Sequence, residues 1–243
     1  MDAKESMHPE VEGQDEYDRE RIASCEDTPV SVLSKLTSDN CREVRAAVAH
    51  NQNTPEEVLR KLTKDSDDLV RVRVAQNPAT SATILQILAM DQDESVRSCV
   101  AVHPNTPPII LEELSQDDDY RVRGAVADNH KTPSEILAEF SKCSYTPTRM
   151  SVAMNHNTPV DVLRCLANDE FEGVRACVAK NPKASHGILK KLGKEKDIAI
   201  CLEVASHLNT PIWTLIKLSW HRCFNVREEA LKNLKTRGSR QFN

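Results

Sequence analysis

Apolar residues recur along the chain at a fixed interval of 26 residues. Leu occupies one position in all eight copies: Leu33, Leu59, Leu85, Leu111, Leu137, Leu163, Leu189 and Leu215. Three residues later, a second position holds Leu in every copy except the fifth, which has Phe140. A Thr lies five residues before the first Leu, and only the seventh copy replaces it, with Ala184. Self-similarity at a fixed period is typical of repeat proteins, so the pattern predicts eight repeats over residues 27–236.

The spacing inside a repeat predicts two helices. Val58, Leu59 and Leu62 lie at i, i+1 and i+4, which is helical rather than strand periodicity. Thr54 followed by Pro55 is typical of a helix start, with Thr at the N-cap and Pro in the first turn. After an Asp-rich turn, residues 70–75 predict a second, short helix of about two turns, either α or 3₁₀. Neither helix can bury its apolar face alone, so we expect an all-α solenoid of stacked repeats.

The segments outside the repeats receive separate predictions. Arg19 and Ile22 match the Arg and Val positions of the second helix, which predicts an N-terminal capping half-repeat at residues 16–26. Residues 1–15 are predicted to form an acidic disordered tail, and residues 237–243 a C-terminal tail.

Asp precedes Arg by six residues in five repeats. These residues are Asp39 and Arg45, Asp65 and Arg71, Asp91 and Arg97, Asp117 and Arg123, and Asp169 and Arg175. We interpret them as a buried ladder that links successive turns, because each Arg follows a core Val and arrives with its own counter-charge. The alternative is a phosphate-binding stripe, since Arg is suited to bidentate phosphate contacts.

A row of Asn residues follows the second helix of each repeat. Its members are Asn51, Asn77, His103, Asn129, Asn155, Asn181, His207 and Asn233. Asn at a helix end bonds nearby backbone groups, so we interpret this row as a capping ladder rather than a ligand site.

The order of these positions resembles the leucine-rich repeat variant family. The pattern is Val-Arg-x-x-Val-Ala-x-Asn, then Thr-Pro, then Val/Ile-Leu-x-x-Leu and Asp, and residues 70–77 carry its first part. The resemblance implies α-helices alternating with 3₁₀ helices in a right-handed superhelix of eight 26-residue, two-helix repeats. The Asp-to-Arg spacing is also similar to that of HEAT repeats. Some members carry an iron–sulfur centre on an N-terminal Cys cluster, but only Cys25 precedes the first repeat here, so this feature is not expected.

Composition narrows the function classes. The chain has only 6 Gly and 4% aromatic residues, which argues against β folds and phosphate-cradling loops. The sequence lacks H-E-x-x-H and G-x-S-x-G motifs and Cys-x-x-Cys pairs, so we expect no catalytic residue, metal or cofactor. It has no run of roughly 18 apolar residues and no secretory signal at its start, so we expect a cytoplasmic protein without membrane contact.

Charge is unevenly distributed along the chain. The net charge is -5, yet residues 183–243 hold 12 basic and 5 acidic residues. This basic quarter supports an alternative function in nucleic-acid binding, although few aromatic residues are present for base stacking.

The last repeat differs from the others on one helix face. Trp213, Ile216 and Trp220 lie at i, i+3 and i+7, where the second repeat has Glu57, Arg60 and Lys64. Either the C-terminal segment covers this stripe, or a partner does, which includes a second copy of the chain. Four further positions with variable identity are candidate contacts: Arg60, Ile87, Arg164 and Lys190. The sequence thus predicts a non-catalytic scaffold whose partner is another protein.

Overall fold

The computed structural model describes residue 11 and residues 13–240, with the backbone alone for residues 238–240. All regular structure in this part of the chain is helical. Residues 1–10, 12 and 241–243, which hold most of the predicted N-terminal tail and the end of the C-terminal one, lie outside the described residues. The helices are α1 (Glu16–Ser24), α2 (Val30–Leu36), α3 (Arg42–His50), α4 (Glu56–Leu62), α5 (Asp68–Gln76), α6 (Ala82–Leu88), α7 (Glu94–Val102), α8 (Pro108–Leu114), α9 (Tyr120–Asp128), α10 (Ser134–Phe140), α11 (Thr146–Met154), α12 (Val160–Leu166), α13 (Glu172–Lys180), α14 (His186–Leu192), α15 (Ile198–Ser206), α16 (Ile212–Leu218) and α17 (Phe224–Arg240).

The predicted all-α repeat solenoid is confirmed: each repeat contributes two helices in the same order. The second helix, however, is the longer one, with nine residues in α5 against seven in α4. Asp67 caps α5 by accepting the Leu69 amide. The helix therefore begins at Asp68, two residues before the apolar segment 70–75 on which the predicted length was based. Both helices have i to i−4 bonds, as from Asn51 to Ala47, and neither is a 3₁₀ helix in the described residues.

The Thr before each first helix has a role other than the expected N-cap. Thr54 Oγ1 donates to the Val48 carbonyl at 2.6 Å, at the end of the preceding helix. Pro55 is extended and forms the N-cap instead, and its carbonyl accepts the Leu59 amide. The Thr hydroxyl therefore adds a second hydrogen bond to the Val48 carbonyl, which accepts the Asn51 amide at 3.3 Å, at a helix C-terminus where carbonyls lack i+4 partners. Equivalent bonds join Thr80 to Val74, Thr106 to Val100, Thr158 to Val152 and Thr210 to Val204.

The described chain forms two units, residues 1–131 with α1 to α9 and residues 132–243 with α10 to α17. In the first unit the longer helices pack side by side, α1 on α3, α3 on α5, α5 on α7 and α7 on α9. In the second unit α11 packs on α13, α13 on α15 and α15 on α17. The Leu, Val and Ala rows of the sequence pattern are buried between these helices and form the core.

The Arg residues of the ladder pair with the next repeat. Arg45 donates through Nε and Nη2 to the Asp65 carboxylate at 2.7 and 2.9 Å, and through Nη1 to the Asp39 carbonyl at 2.8 Å. The Asp six residues earlier thus supplies only its backbone oxygen, and the paired carboxylate lies twenty residues later. The same arrangement joins Arg19 to Asp39, Arg71 to Asp91, Arg97 to Asp117, Arg149 to Asp169 and Arg175 to Glu195.

Each acid of the ladder can hold two groups at once. Asp65 Oδ1 also accepts the Asp67 amide at 3.0 Å, so one carboxylate caps its own turn and binds the Arg of the preceding repeat. These Arg donors are occupied by carboxylate and carbonyl oxygens, which leaves no open fork for a phosphate at Arg45 or Arg71. Arg123 donates to the carbonyls of Asp117 and Asp118, and the acid position twenty residues later holds Cys143.

The ladder changes at both members of one pair. Cys201 takes the Arg position, and His221, twenty residues later, takes the acid position. Because both are replaced together, neither side leaves an ion without its partner. His221 Nδ1 accepts the Cys223 amide at 3.1 Å. The imidazole thus caps its turn as the Asp65 carboxylate does when it accepts the Asp67 amide.

The Asn row also connects repeats. Asn77 Nδ2 donates to the carbonyls of Ala49 and Asn51 at 2.7 and 2.9 Å, and its Oδ1 accepts the Ala79 amide at 2.9 Å. His103 imitates this pattern, since Nε2 bonds the Asn77 carbonyl and Nδ1 accepts the Asn105 amide, both at 3.1 Å. The imidazole fits only as the neutral tautomer that carries its proton on Nε2.

Replacing Arg71 with Ala is expected to lower the free energy of unfolding by about 3–5 kcal/mol, because it leaves the buried Asp91 carboxylate without its partner. Replacing Arg60 serves as the control, since its ion pair with Glu56 is half exposed and contributes at most ~1 kcal/mol. Urea denaturation followed by circular dichroism measures both variants. Equal midpoints for R71A and R60A would contradict a structural role for the ladder.

Stability is expected to decrease below neutral pH through His103. Burial lowers the pKa of this imidazole, so the unfolded chain binds the proton more readily than the folded one. The stability that His103 contributes is complete above the ordinary histidine pKa of ~6.5 and is lost as the pH falls through it. The H103N variant, with the residue common at this position, should show a smaller fall in Tm between about pH 7.5 and 5.5. The control H50N changes an exposed imidazole and should retain the wild-type pH dependence.

Candidate interaction surface

The shorter helices expose the positions that vary between repeats. Arg60, Ile87, Arg164 and Lys190, predicted as candidate contacts, all lie on the surface. Two of them are engaged within their own helices, because Arg60 pairs with Glu56 at 2.8 Å and Arg164 with Asp161 at 2.7 Å. These four residues belong to four different helices and form no common site. They are surface positions of separate repeats.

The Trp stripe of α16 is the most exposed apolar feature of the second unit. Trp213 and Trp220 are 82% and 84% exposed, and Ile216 between them is 38% exposed. Helix α17 packs against α16, but its described side chains leave both indoles open. The sequence allowed this stripe to be covered by the C-terminal segment or by a partner, and the described part of α17 does not cover it.

The surface beside the stripe is open and basic. The preceding repeat has Gly187 and Lys190 on α14 and Lys194 just after it, at the positions of Trp213, Ile216 and Trp220 in the last repeat. A side chain at Gly187 would meet nothing closer than Ser185 Oγ at 3.9 Å, so no neighbouring group crowds this position. Helices α14 and α16 contain basic residues and no acidic ones. We call the Trp face the stripe of Trp213, Ile216 and Trp220 together with Lys217 of the same helix and Lys190 and Lys194 at the equivalent positions of the preceding repeat.

A second, weaker apolar surface lies on the longer helices of the same unit. Met150 and Met154 of α11 and Leu202 of α15 are 36–40% exposed. The sequence analysis missed these residues because each is a single apolar residue in a mostly small or polar row. Comparison of equivalent positions would have found them, since the first three repeats have Ala46, Val72 and Ser98 where Met150 lies.

One cluster with potential metal ligands also escaped the sequence analysis. Cys41 Sγ lies 2.9 Å from a Glu16 oxygen and 3.0 Å from a Glu43 oxygen, and the three ligand atoms lie within 4.8 Å of one another. Burial and the hydrogen bonds to both carboxylates raise the pKa of Cys41 to about 11. Hydrogen bonds from Arg42 and then Cys41 lower the pKa of Glu43 to about 2. A metal would have to displace a firmly held thiol proton, so the arrangement favours a thiol donor to two carboxylates.

The cysteines at one position of the longer helices are less buried than the sequence suggests. Cys99 and Cys177 lie where other repeats have Ala47, Ala125 and Ser151, a pattern that predicts a small buried side chain, but both are partly exposed. Burial of the sulfur still raises the pKa of each thiol. In the described residues, no helix combines the length and apolar character needed to cross a membrane.

Comparison with known proteins relates this chain to a described family and to a solved structure. The family described as Leucine rich repeat variant matches residues 42–67, the length of one repeat. A solved leucine-rich repeat variant with a repetitive structural motif described as novel is similar over most of both chains. Its identity is 26% and its TM-score 0.63, covering 88% of this chain and 85% of that one. Residues 42–67 thus match this family, and the chain shares the fold of the solved variant.

More distant similarities extend to engineered proteins. A solved engineered protein has 16% identity and a TM-score of 0.39, covering 89% of this chain and 82% of that one. A computationally designed armadillo repeat protein for modular peptide recognition has 16% identity and a TM-score of 0.21, with 90% of both chains covered. These TM-scores are too low to indicate a shared fold. Curated proteins gave no match.

The two indoles are expected to report a water-exposed environment at nanomolar concentration, with red-shifted emission and ready acrylamide quenching. The W213A/W220A variant should unfold within ~0.5 kcal/mol of the wild type, because exposed side chains contribute little packing. The buried Phe140 provides the control, and F140A should lose ~3–5 kcal/mol. Blue-shifted emission at nanomolar concentration would show that the chain covers its own stripe, and a blue shift only at higher concentration would reveal a second copy.

Proposed function

We propose that this chain is a non-catalytic scaffold that binds an acidic, apolar segment of another protein at the Trp face. The observation that carries the proposal is the pair of exposed indoles, Trp213 on the short helix α16 and Trp220 directly after it. Tryptophan is enriched among the residues that dominate binding energy at protein interfaces. Contiguous apolar surface of this kind on a soluble domain is typical of an interaction site.

The charge around the stripe favours an acidic partner. Lys217 lies on α16 itself, Lys190 and Lys194 occupy in the preceding repeat the positions of Ile216 and Trp220, and helices α14 and α16 carry no carboxylate. Complementary charge accelerates encounter and selects the partner, while burial of the indoles supplies affinity. A segment with acidic residues beside a few large apolar side chains satisfies both parts of this face.

Several features support a binding role without catalysis. The hydrogen bond from Arg19 lowers the pKa of Asp39, and that from Arg149 lowers the pKa of Asp169. Ion-paired carboxylates of this kind are poor proton carriers near neutral pH, where an acid–base catalyst needs a pKa close to the working pH. All eight cysteines are free thiols, which agrees with action in the reducing cytoplasm.

Single-stranded nucleic acid is a second candidate ligand, favoured by the position of the two indoles beside Lys190 and Lys194. Exposed aromatic rings can stack on bases while lysines contact phosphates. Such binding would weaken steeply as salt increases, because counterions are released from the phosphates. Protein binding through buried indoles depends less on salt, so the salt dependence separates the two candidates.

A random peptide library displayed on phage and selected on the whole immobilised chain tests the proposal. We expect enriched peptides to combine Asp or Glu with large apolar residues, and a synthetic peptide from this selection then serves as the probe in fluorescence anisotropy. W213A/W220A should weaken its binding by at least ~30-fold, the effect of losing an interface residue worth ~2 kcal/mol.

The matched control for this experiment changes the equivalent positions of other repeats. Ile109 corresponds to Trp213 and Met90 to Trp220, and both are exposed, so M90A/I109A should bind the peptide like the wild type. Equal loss in both double variants, or enrichment of peptides without acidic residues, would contradict the proposal. Tight binding of an oligothymidylate probe that disappears at high salt would favour the nucleic-acid alternative instead.

A further inference from the structure

Helix α16 is held at both ends by turns that depend on neutral histidine. Before the helix, His207 Nε2 bonds the Asn181 carbonyl and Nδ1 accepts the Asn209 amide, both at 2.9 Å. After the helix, His221 Nδ1 accepts the Cys223 amide at 3.1 Å. In each case the ring nitrogen that faces a backbone N–H must be free of a proton.

Other repeats place permanent acceptors in these two turns. Asn181 Oδ1 accepts the Lys183 amide at 2.9 Å, and Asp169 Oδ1 accepts the Phe171 amide at 3.0 Å. An amide oxygen or an ionised carboxylate remains an acceptor throughout the physiological pH range, whereas an imidazole becomes a double donor when it binds a proton. Among the described helices, α16 alone follows a His of the Asn row and precedes a His of the acid row.

Charged groups surround each imidazole. Near His207 lie Lys180 of α13, Glu203 of α15 and Arg237 of α17, and Arg237 bonds the carbonyls of Leu208 and Thr210. At His221, Nη1 of Arg227 on α17 donates to the backbone carbonyls of His221 and Arg222, and Lys217 of α16 lies four residues before the imidazole in the sequence. Glu203 is the one carboxylate among the residues that line the cavity beside His207, and Lys180 is the one cation there.

We infer that α16 is a proton-sensitive element: uptake of protons by His207 and His221 opposes both turns that hold the helix, and so disrupts the Trp face. A proton on Nδ1 would point at the amide of Asn209 or Cys223, where it replaces a hydrogen bond by a repulsive contact. Because Trp213 and Trp220 both lie on or directly after α16, loosening this helix changes the spacing of the two indoles. This regulation rests on the proposed binding function, and it predicts release of the partner as the pH falls.

The sequence provides its own reporter for this change. The chain has 2 Trp residues, and both belong to this stripe, so tryptophan anisotropy follows α16 alone. Lowering the pH from about 7.5 to about 5.5 should decrease the anisotropy of the wild type. Hydrogen-exchange protection factors of the α16 amides should decrease about tenfold, the order expected for the loss of two turn hydrogen bonds. Intensity is not the readout, since a protonated imidazole beside an indole can quench it without any movement.

The H207N/H221N variant tests the origin of the response. The Asn side chain retains a hydrogen-bond acceptor at both turns. At position 221 Asn is preferred to Asp, because an Asp carboxylate would lack an Arg partner: the Arg position twenty residues earlier is Cys201. Its anisotropy and protection factors should stay constant over the same pH range, while H103N, an equivalent change in the first unit, should respond like the wild type. A constant wild-type signal, a response that persists in H207N/H221N, or an equal loss of protection in every helix would overturn the inference.

Binding of the selected peptide separates this inference from the proposed function. The inference is supported if the peptide binds the wild type at about pH 7.5 and at least ~10-fold more weakly at about pH 5.5, and if this difference is absent in H207N/H221N. Protonation of the two histidines then controls binding at the Trp face. If the peptide binds equally at both pH values, the inferred control by His207 and His221 is wrong, although the proposed binding function stands. If no peptide binds while α16 still loosens, the binding function fails and the proton-sensitive helix remains.

Discussion

A guanidinium shared between two consecutive repeats is the interaction on which this stack depends. Arg71 donates to the Asp65 carbonyl at the turn before its own helix and to the Asp91 carboxylate of the next repeat, and both side chains of the pair are less than a tenth exposed. Burial of Leu, Val and Ala supplies most of the stabilisation, but it is non-directional. The planar Arg guanidinium binds a carboxylate through two donors in a fixed geometry, so it sets how one repeat packs on the next.

The Asn row applies the same principle at the other end of the longer helices. Asn77 joins two carbonyls near the end of the preceding long helix to an amide of its own turn, so one side chain ties adjacent repeats together. His103 and His207 keep this geometry with an imidazole, at the cost of a group that can be protonated. Identity at these inward positions is therefore restricted by hydrogen-bond geometry, while outward positions are free to diversify.

By this division, the last repeats differ from the others at both their inward and their outward positions. Their inward positions depart from the common pattern at Cys201, His207 and His221, and their outward positions carry Trp213 and Trp220. Both indoles occupy positions that face solvent in the second repeat as well, where they are Glu57 and Lys64, so both rings lie on the surface. The least regular hydrogen bonding thus surrounds the helix with the largest exposed apolar side chains.

The sequence by itself determined the 26-residue period, the two helices of each repeat, their buried rows and the unusual stripe on α16, because these depend on local spacing within one repeat. Tertiary structure alone decided that Arg45 pairs with the Asp65 carboxylate rather than that of Asp39, since the Asp39 carboxylate binds Arg19 and offers Arg45 only its backbone carbonyl. It likewise placed Glu16 beside Cys41 and left the indoles uncovered. Pairing across repeats and exposure depend on how repeats stack, and the pattern within a single repeat does not contain that geometry.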